Sequence, residues 1–135
     1  MTALAAERGA EERAAAEEAI AGRDLPDREG EQHVRRAERG AEREEILFAL
    51  EELAAWYRDL LVVAAGAERA VVHYDRIGEL VEDGTSERMP AAEQAAEVVL
   101  GAWRTFEEFN VTPALALEAM FVRVRRCFAG VAAPA

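Results

Sequence analysis

The feature that most constrains the fold is a corner, Asn110-Val111-Thr112-Pro113, set between two stretches with helical periodicity. Pro113 bars Thr112 from the α region, so a helix arriving from the left must stop by about Asn110. Asparagine tolerates the left-handed conformation that ends helices, so Asn110 is expected to close the first helix. Thr112 is expected to cap the second, with Pro113 at its first position, where a missing N–H costs nothing. Before the corner, Ala95, Val99, Ala102, Phe106 and Phe109 recur at helical spacing, flanked by Val98 and Trp103. After it, Leu117, Phe121, Val124 and Phe128 do the same, beside Leu115, Met120 and Val122. Both sets fit a buried helical face, and the short corner predicts an antiparallel helical hairpin. On that reading Phe106→Ala or Phe121→Ala costs about 3–5 kcal/mol each.

The 135 residues suffice for one modest core. Large apolar residues concentrate after Ile46, and alanine, glutamate and arginine dominate the rest. The predicted class is all-α: a bundle of about four to five helices with a long central helix and the C-terminal hairpin. Thr2 to Ala21 is a helix so polar that it is expected to fray or to lean lightly on another element. Gly22 to Gly30, with Pro26 inside it, reads as a break. Residues 1–30 are therefore a polar helix and linker, 31–130 the bundle, and 131–135 a tail.

Glu31 to Ala65 reads as one long helix, with Gly40 a weak point where a kink or break is expected. Its first half is charged, and Glu38–Glu42 and Arg39–Arg43 are like-charge neighbours. Its second half is apolar through Ile46, Leu50, Leu53, Tyr57, Leu60 and Leu61, until Gly66 stops it. Glu68 to Val81 reads as a shorter helix weakened by Gly78. Asp83 to Ser86 is a loop, and Pro90 belongs in the first turn of the next helix, with Ser86 or Met89 near its cap.

The formal charge is −11. A nucleic-acid backbone or a membrane surface calls for a basic face, so direct nucleic-acid binding and membrane anchoring are not expected. No apolar run has the length of a membrane span or secretion signal, and a single cysteine, Cys127, fits a reducing, cytoplasmic setting. All basic residues are arginine. A phosphate-loop lysine and a Schiff-base lysine are thereby excluded within this chain. The histidines are His33 and His73; a Glu-x-x-His di-metal motif would need glutamate where Gly30 and Ala70 stand. His73-x-Asp75 could hold a metal only with further ligands, and no serine or cysteine nucleophile stands at recognisable spacing from a histidine. No catalytic residues, no cofactor and no small-molecule substrate are expected.

Two clusters remain. Arg123, Arg125 and Arg126 sit at the end of the last helix, where cations complement the helix dipole or meet an acidic partner. In Trp56-Tyr57-Arg58-Asp59 the two aromatics cannot share one narrow stripe. One is expected to face the core and the other a neighbour, while Arg58 and Asp59 reach for partners on other helices.

The run Asn110-Val111-Thr112-Pro113-Ala114-Leu115-Ala116-Leu117-Glu118-Ala119, followed by Met120 to Val124, resembles the last helical hairpin of bacterial DNA polymerase III clamp-loader subunits. Those subunits carry an Asn-x-x-Pro-x-Leu-x-Leu-Glu pattern followed by leucines; here Met120, Phe121, Val122 and Val124 stand in the leucine positions. Leu53-Ala-Ala-Trp-Tyr-Arg-Asp-Leu-Leu61 looks more like the delta-prime subunit than the gamma/tau subunit. The resemblance covers roughly residues 40–128. It implies a C-terminal collar domain, a helical bundle that holds loader subunits in a ring while the sliding clamp is loaded in DNA replication. It also implies that the chain is the C-terminal part of a longer subunit, without the nucleotide-binding module. The expected partners are other clamp-loader subunits. The expected contact residues are Trp56, Arg58, Arg123 and Arg126, with Asn110, Thr112 and Pro113 as the structural corner. Two other readings are a self-contained helical homo-oligomeric scaffold or regulator, and a small-molecule-binding bundle lined by Trp56, Tyr57, Trp103 and Phe106.

Overall fold

The computed structural model describes residues 2–21 and 27–131. The chain is all-α, and the described residues contain no strand. Five helices follow in order: α1 (Thr2–Ala21), α2 (Asp27–Ala64), α3 (Ile77–Asp83), α4 (Met89–Glu108) and α5 (Pro113–Cys127). Single 3-10 turns at Glu68–Ala70 and Tyr74–Arg76 lie between α2 and α3. The chain forms two compact units, residues 1–49 and 50–135, with the boundary inside α2. Of the expected break at Gly22 to Gly30, positions 22–26 lie outside the described residues, and helix resumes at Asp27.

In the first unit, α1 is a full helix laid against α2, not a frayed one. Among its described side chains the buried residues are Ala5, Gly9 and Ala16, all small. A Cβ at Gly9 would stand 2.7 Å from Glu42 Cγ, so the absent side chain is what lets the helices approach. Arg8 lies 3.9 Å from Glu45 and Arg13 lies 3.6 Å from Glu38, both across the helix pair. Val34 and Ile46 supply the buried apolar residues of α2 in this unit. The expected break at Gly40 does not occur. The helix runs through it, because one glycine in so long a helix costs only about 1 kcal/mol.

In the second unit, α2 ends as Gly66 predicts. Gly66 adopts φ +77°, its N–H donates to Val63 O, and Ala67 N–H donates to Val62 O. These are the paired bonds that satisfy a helix end through a left-handed glycine. Leu60, Val63, Leu80 and Ala92 form a buried cluster, with Tyr57, Leu61, Val71, Ile77 and Phe128 packed around it. Gly84 is pressed into this region: a Cβ there would lie 2.7 Å from Leu80 O and 3.2 Å from Leu60 O.

Helices α4 and α5 pack on each other as the corner predicts. Pro90 lies in the first turn of α4; the cap position is Arg88, directly before Met89, and no side chain caps it. The corner itself is built differently from expectation. The first helix ends at Glu108, and Phe109 is already extended at φ −123°, ψ 151°. No non-glycine residue has positive φ among the described residues, so Asn110 does not supply a left-handed cap. Phe109 and Thr112 are extended and Val111 N–H donates back to Phe109 O at 3.2 Å, so the chain turns at Asn110 without a left-handed residue. Thr112 is the N-cap position and is extended, as its proline neighbour requires, but its side chain makes no capping bond.

The buried face of α4 includes Ala95, Val99 and Phe106. On α5 it is Leu117, Met120 and Val124. Phe121, expected in the core, is 45% exposed, and Phe109 is 63% exposed. The buried stripe of α5 therefore runs 117–120–124 rather than 117–121–124, and truncating Phe121 no longer carries the cost of a core phenylalanine.

Candidate functional site

The most constrained polar group in the chain is Asp59, fully buried at 0% exposure on the last turns of α2. Its carboxylate grips the chain that follows. Oδ2 accepts from the backbone N–H of His73 at 2.8 Å, the backbone N–H of Val72 at 3.0 Å and His73 Nδ1 at 2.8 Å. Oδ1 accepts from Val72 N–H at 3.1 Å and from Arg58 Nη1 at 3.1 Å. Arg58 also donates to Ala70 O at 3.4 Å. A buried charge persists when its lone pairs are filled by donors in this way.

This grip explains why Glu68 to Val81 is not the continuous helix that its spacing predicts. A helix would commit the amides of Val72 and His73 to carbonyls a turn earlier. The carboxylate takes them instead through charge-assisted bonds, and the β-branched Val71 and Val72 are weak helix formers that lose little by leaving a helix. The first part of the segment is left as two 3-10 turns with an extended link at Val71, and α-helix begins only at Ile77.

His73 is the second member of the cluster. Its outer nitrogen, Nε2, lies 3.4 Å from Glu52 Oε2, and Trp56 meets its ring edge-on at 5.6 Å. The guanidinium of Arg76 covers the Trp56 ring at 4.4 Å and pairs with Glu79. Because Nδ1 donates to Asp59, a buried acid orients the imidazole as in a proton-transfer pair. Its outer nitrogen, however, faces a carboxylate, and no hydroxyl or thiol of the described residues hydrogen-bonds to it. The geometry is that of an anchor. The acid bonded to the His73 ring is Asp59, not the neighbouring Asp75.

The cluster makes stability depend on pH. Burial works to lower the His73 pKa, but hydrogen bonds to Asp59 and Glu52 outweigh it and raise the pKa above its ordinary 6.5. Burial works to raise that of Asp59, and the N–H groups of His73 and Val72 with the imidazole hold it below its ordinary 3.8. The His73 contribution is present below about 6.5 and lost as pH rises through its raised value; the Asp59 contribution is present above about 3.9 and lost as pH falls through its lowered value. Chemical denaturation should show wild type losing stability as pH rises above about 6.5, and His73→Gln losing less over the same rise. Equal losses in the two proteins would remove His73 as the cause.

The second distinctive surface is the outer side of α5. Leu115 is 67% exposed and Val122 is 49% exposed. They are two turns apart on one side of the helix, opposite the buried Leu117, Met120 and Val124. Arg125 and Arg126 are exposed and adjoin Val122 at i+3 and i+4, with Arg123 beside them. No salt bridge engages these three arginines among the described residues, whereas the described arginines of α1 and the Arg76 turn are paired.

No protein-family model, curated protein or solved structure matches this chain. Its own geometry therefore carries the functional reading. Of the four residues proposed from sequence as contacts, Trp56 and Arg58 belong to the Asp59 cluster, and Arg123 and Arg126 lie on the outside of α5. Of the four aromatics considered as a ligand-cavity lining, Trp56 and Tyr57 both pack against the buried cluster of Leu60, Val63, Leu80 and Ala92. Trp56 meets His73 and Arg76, and Tyr57 stacks on Phe128 at 6.0 Å. Trp103 donates to Glu51 at 3.1 Å, and Phe106 is buried near the end of α4. An open depression of about 490 Å3 is lined by Gly66, Ala67, Glu68, Arg69 and Ala70, with none of these aromatics. Among the described residues no group of three or more histidine, cysteine or acidic residues is placed to hold a metal, and no helix is long and apolar enough to cross a membrane.

The carboxylate–amide grip was invisible to the sequence reading. The spacing predicts that Asp59 reaches for a partner on another helix; it binds backbone amides of a loop instead. The signal available was its setting: a single acid directly before Leu60-Leu61-Val62-Val63, where helix α2 is otherwise apolar.

Proposed function

We propose that this chain is a non-catalytic helical assembly domain, and that the assembly is a bacterial DNA polymerase III clamp loader, in which it acts as a delta-prime-like collar. The observation that carries the assembly reading is α5, a helix apolar on two opposite sides. One side is filled by packing within the chain, and the other presents Leu115 and Val122 to solvent, with Phe121 exposed between the two. A helix apolar nearly all round is normally enclosed, so the outer side is read as a surface that a second protein covers. The clamp-loader part rests on the resemblance of residues 53–61 and 110–119 to that family.

The mechanism is adhesive. The α4–α5 hairpin holds α5 rigidly, so docking on its outer side fixes few additional backbone torsions. Leu115→Glu with Val122→Glu should abolish co-elution with loader subunits in size-exclusion chromatography with light scattering, while circular dichroism keeps its helical signal. Retained co-elution would discard α5 as the docking element. A discrete homo-oligomer of the chain alone that ignores loader subunits would favour the self-contained scaffold instead. Saturable ATP binding by the chain would contradict the non-catalytic reading.

A further inference from the structure

The outer side of α5 differs in charge from the molecule that carries it. The chain has a formal charge of −11, yet α5 holds Arg123, Arg125 and Arg126 against one acid, Glu118. All three arginines are exposed and make no salt bridge among the described residues. Arg125 and Arg126 border Val122 on its two sides, so whatever covers Leu115 and Val122 also meets these guanidinium groups.

Resting on the assembly reading above, we propose that the occupant of this face is an acidic amphipathic helix of a different protein, its apolar stripe on Leu115 and Val122 and its carboxylates on Arg125 and Arg126. Guanidinium groups at the edge of an apolar contact select carboxylates through paired N–H donors and repel a basic helix. A second copy of this chain is disfavoured by the same count. A symmetric dimer built on α5 places identical helices together, so each arginine trio would face a helix that carries three arginines and one acid, Glu118. The helix dipole accounts for basic residues at the end of α5. It does not account for an apolar stripe running alongside them.

The test uses the full chain and two labelled amphipathic peptides that share a leucine stripe, one flanked by glutamate and one by lysine. Fluorescence anisotropy should show the glutamate peptide binding about tenfold or more tightly than the lysine peptide, with the difference shrinking at high salt. Arg125→Glu with Arg126→Glu should reverse the preference while circular dichroism stays unchanged. Equal binding of both peptides, or no effect of charge reversal, overturns the proposal. Assembly with loader subunits separates it from the reading beneath it. If charge reversal leaves assembly intact while Leu115→Glu with Val122→Glu destroys it, the docking face stands and the acidic partner is overturned. If neither double variant disturbs assembly, both fall.

Discussion

Replacing Asp59 with alanine is expected to lower the free energy of unfolding by about 3–5 kcal/mol, the range seen when one partner of a buried charged network is removed. The loss has two sources. The Val72 and His73 amides and the His73 ring would lose their acceptor, and each buried donor left without one costs about 1–3 kcal/mol, less where water enters. The extended link between the two 3-10 turns would also lose what holds it. Asp59→Asn gives a sharper comparison. It keeps the shape and one acceptor oxygen but turns an amide NH2 toward donors, so it should recover only part of the loss. Urea denaturation of the three proteins measures this. A cost under about 1 kcal/mol for Asp59→Ala would mean the carboxylate is not the anchor described.

Phe106→Ala is expected to cost a similar amount, about 3–5 kcal/mol, because Phe106 is 4% exposed near the end of α4. The companion variant Phe121→Ala should cost under about 1 kcal/mol, since a residue 45% exposed leaves little cavity behind. The pair of values tests the phase of α5 directly. If the two costs were reversed, the buried stripe would be the one that spacing alone suggested.

That reversal shows where sequence reading works and where it stops. On α4 the apolar residues Ala95, Val99 and Phe106 stand among glutamates, so only one face can be inside, and it is. On α5 the residues 115, 117, 120, 121, 122 and 124 are all large and apolar, so periodicity alone cannot choose between two stripes. Tertiary packing against α4 made the choice. The ambiguity is itself informative, because the surplus apolar residues are those proposed to meet a partner. Helix ends were legible where one residue type has one use, as with Gly66 and Pro113. They were less so at Asn110, whose tolerance of a left-handed conformation is an option that this corner does not use. The Asp59–His73 pair lies beyond any local rule. Its members are 14 residues apart, and the bond that matters most runs from a helix to backbone amides in a loop.

The same distinction between local rule and tertiary demand applies at Gly84. Its φ of −79° is one any residue can adopt, so nothing in its own torsions requires glycine. The requirement comes from outside: the carbonyls of Leu80 and Leu60 occupy the space a methyl group would take. A lineage could therefore lengthen or recolour the surrounding loop freely, yet mutational drift at this single locus would meet a steric wall formed by main chain, which cannot step aside as a side chain can.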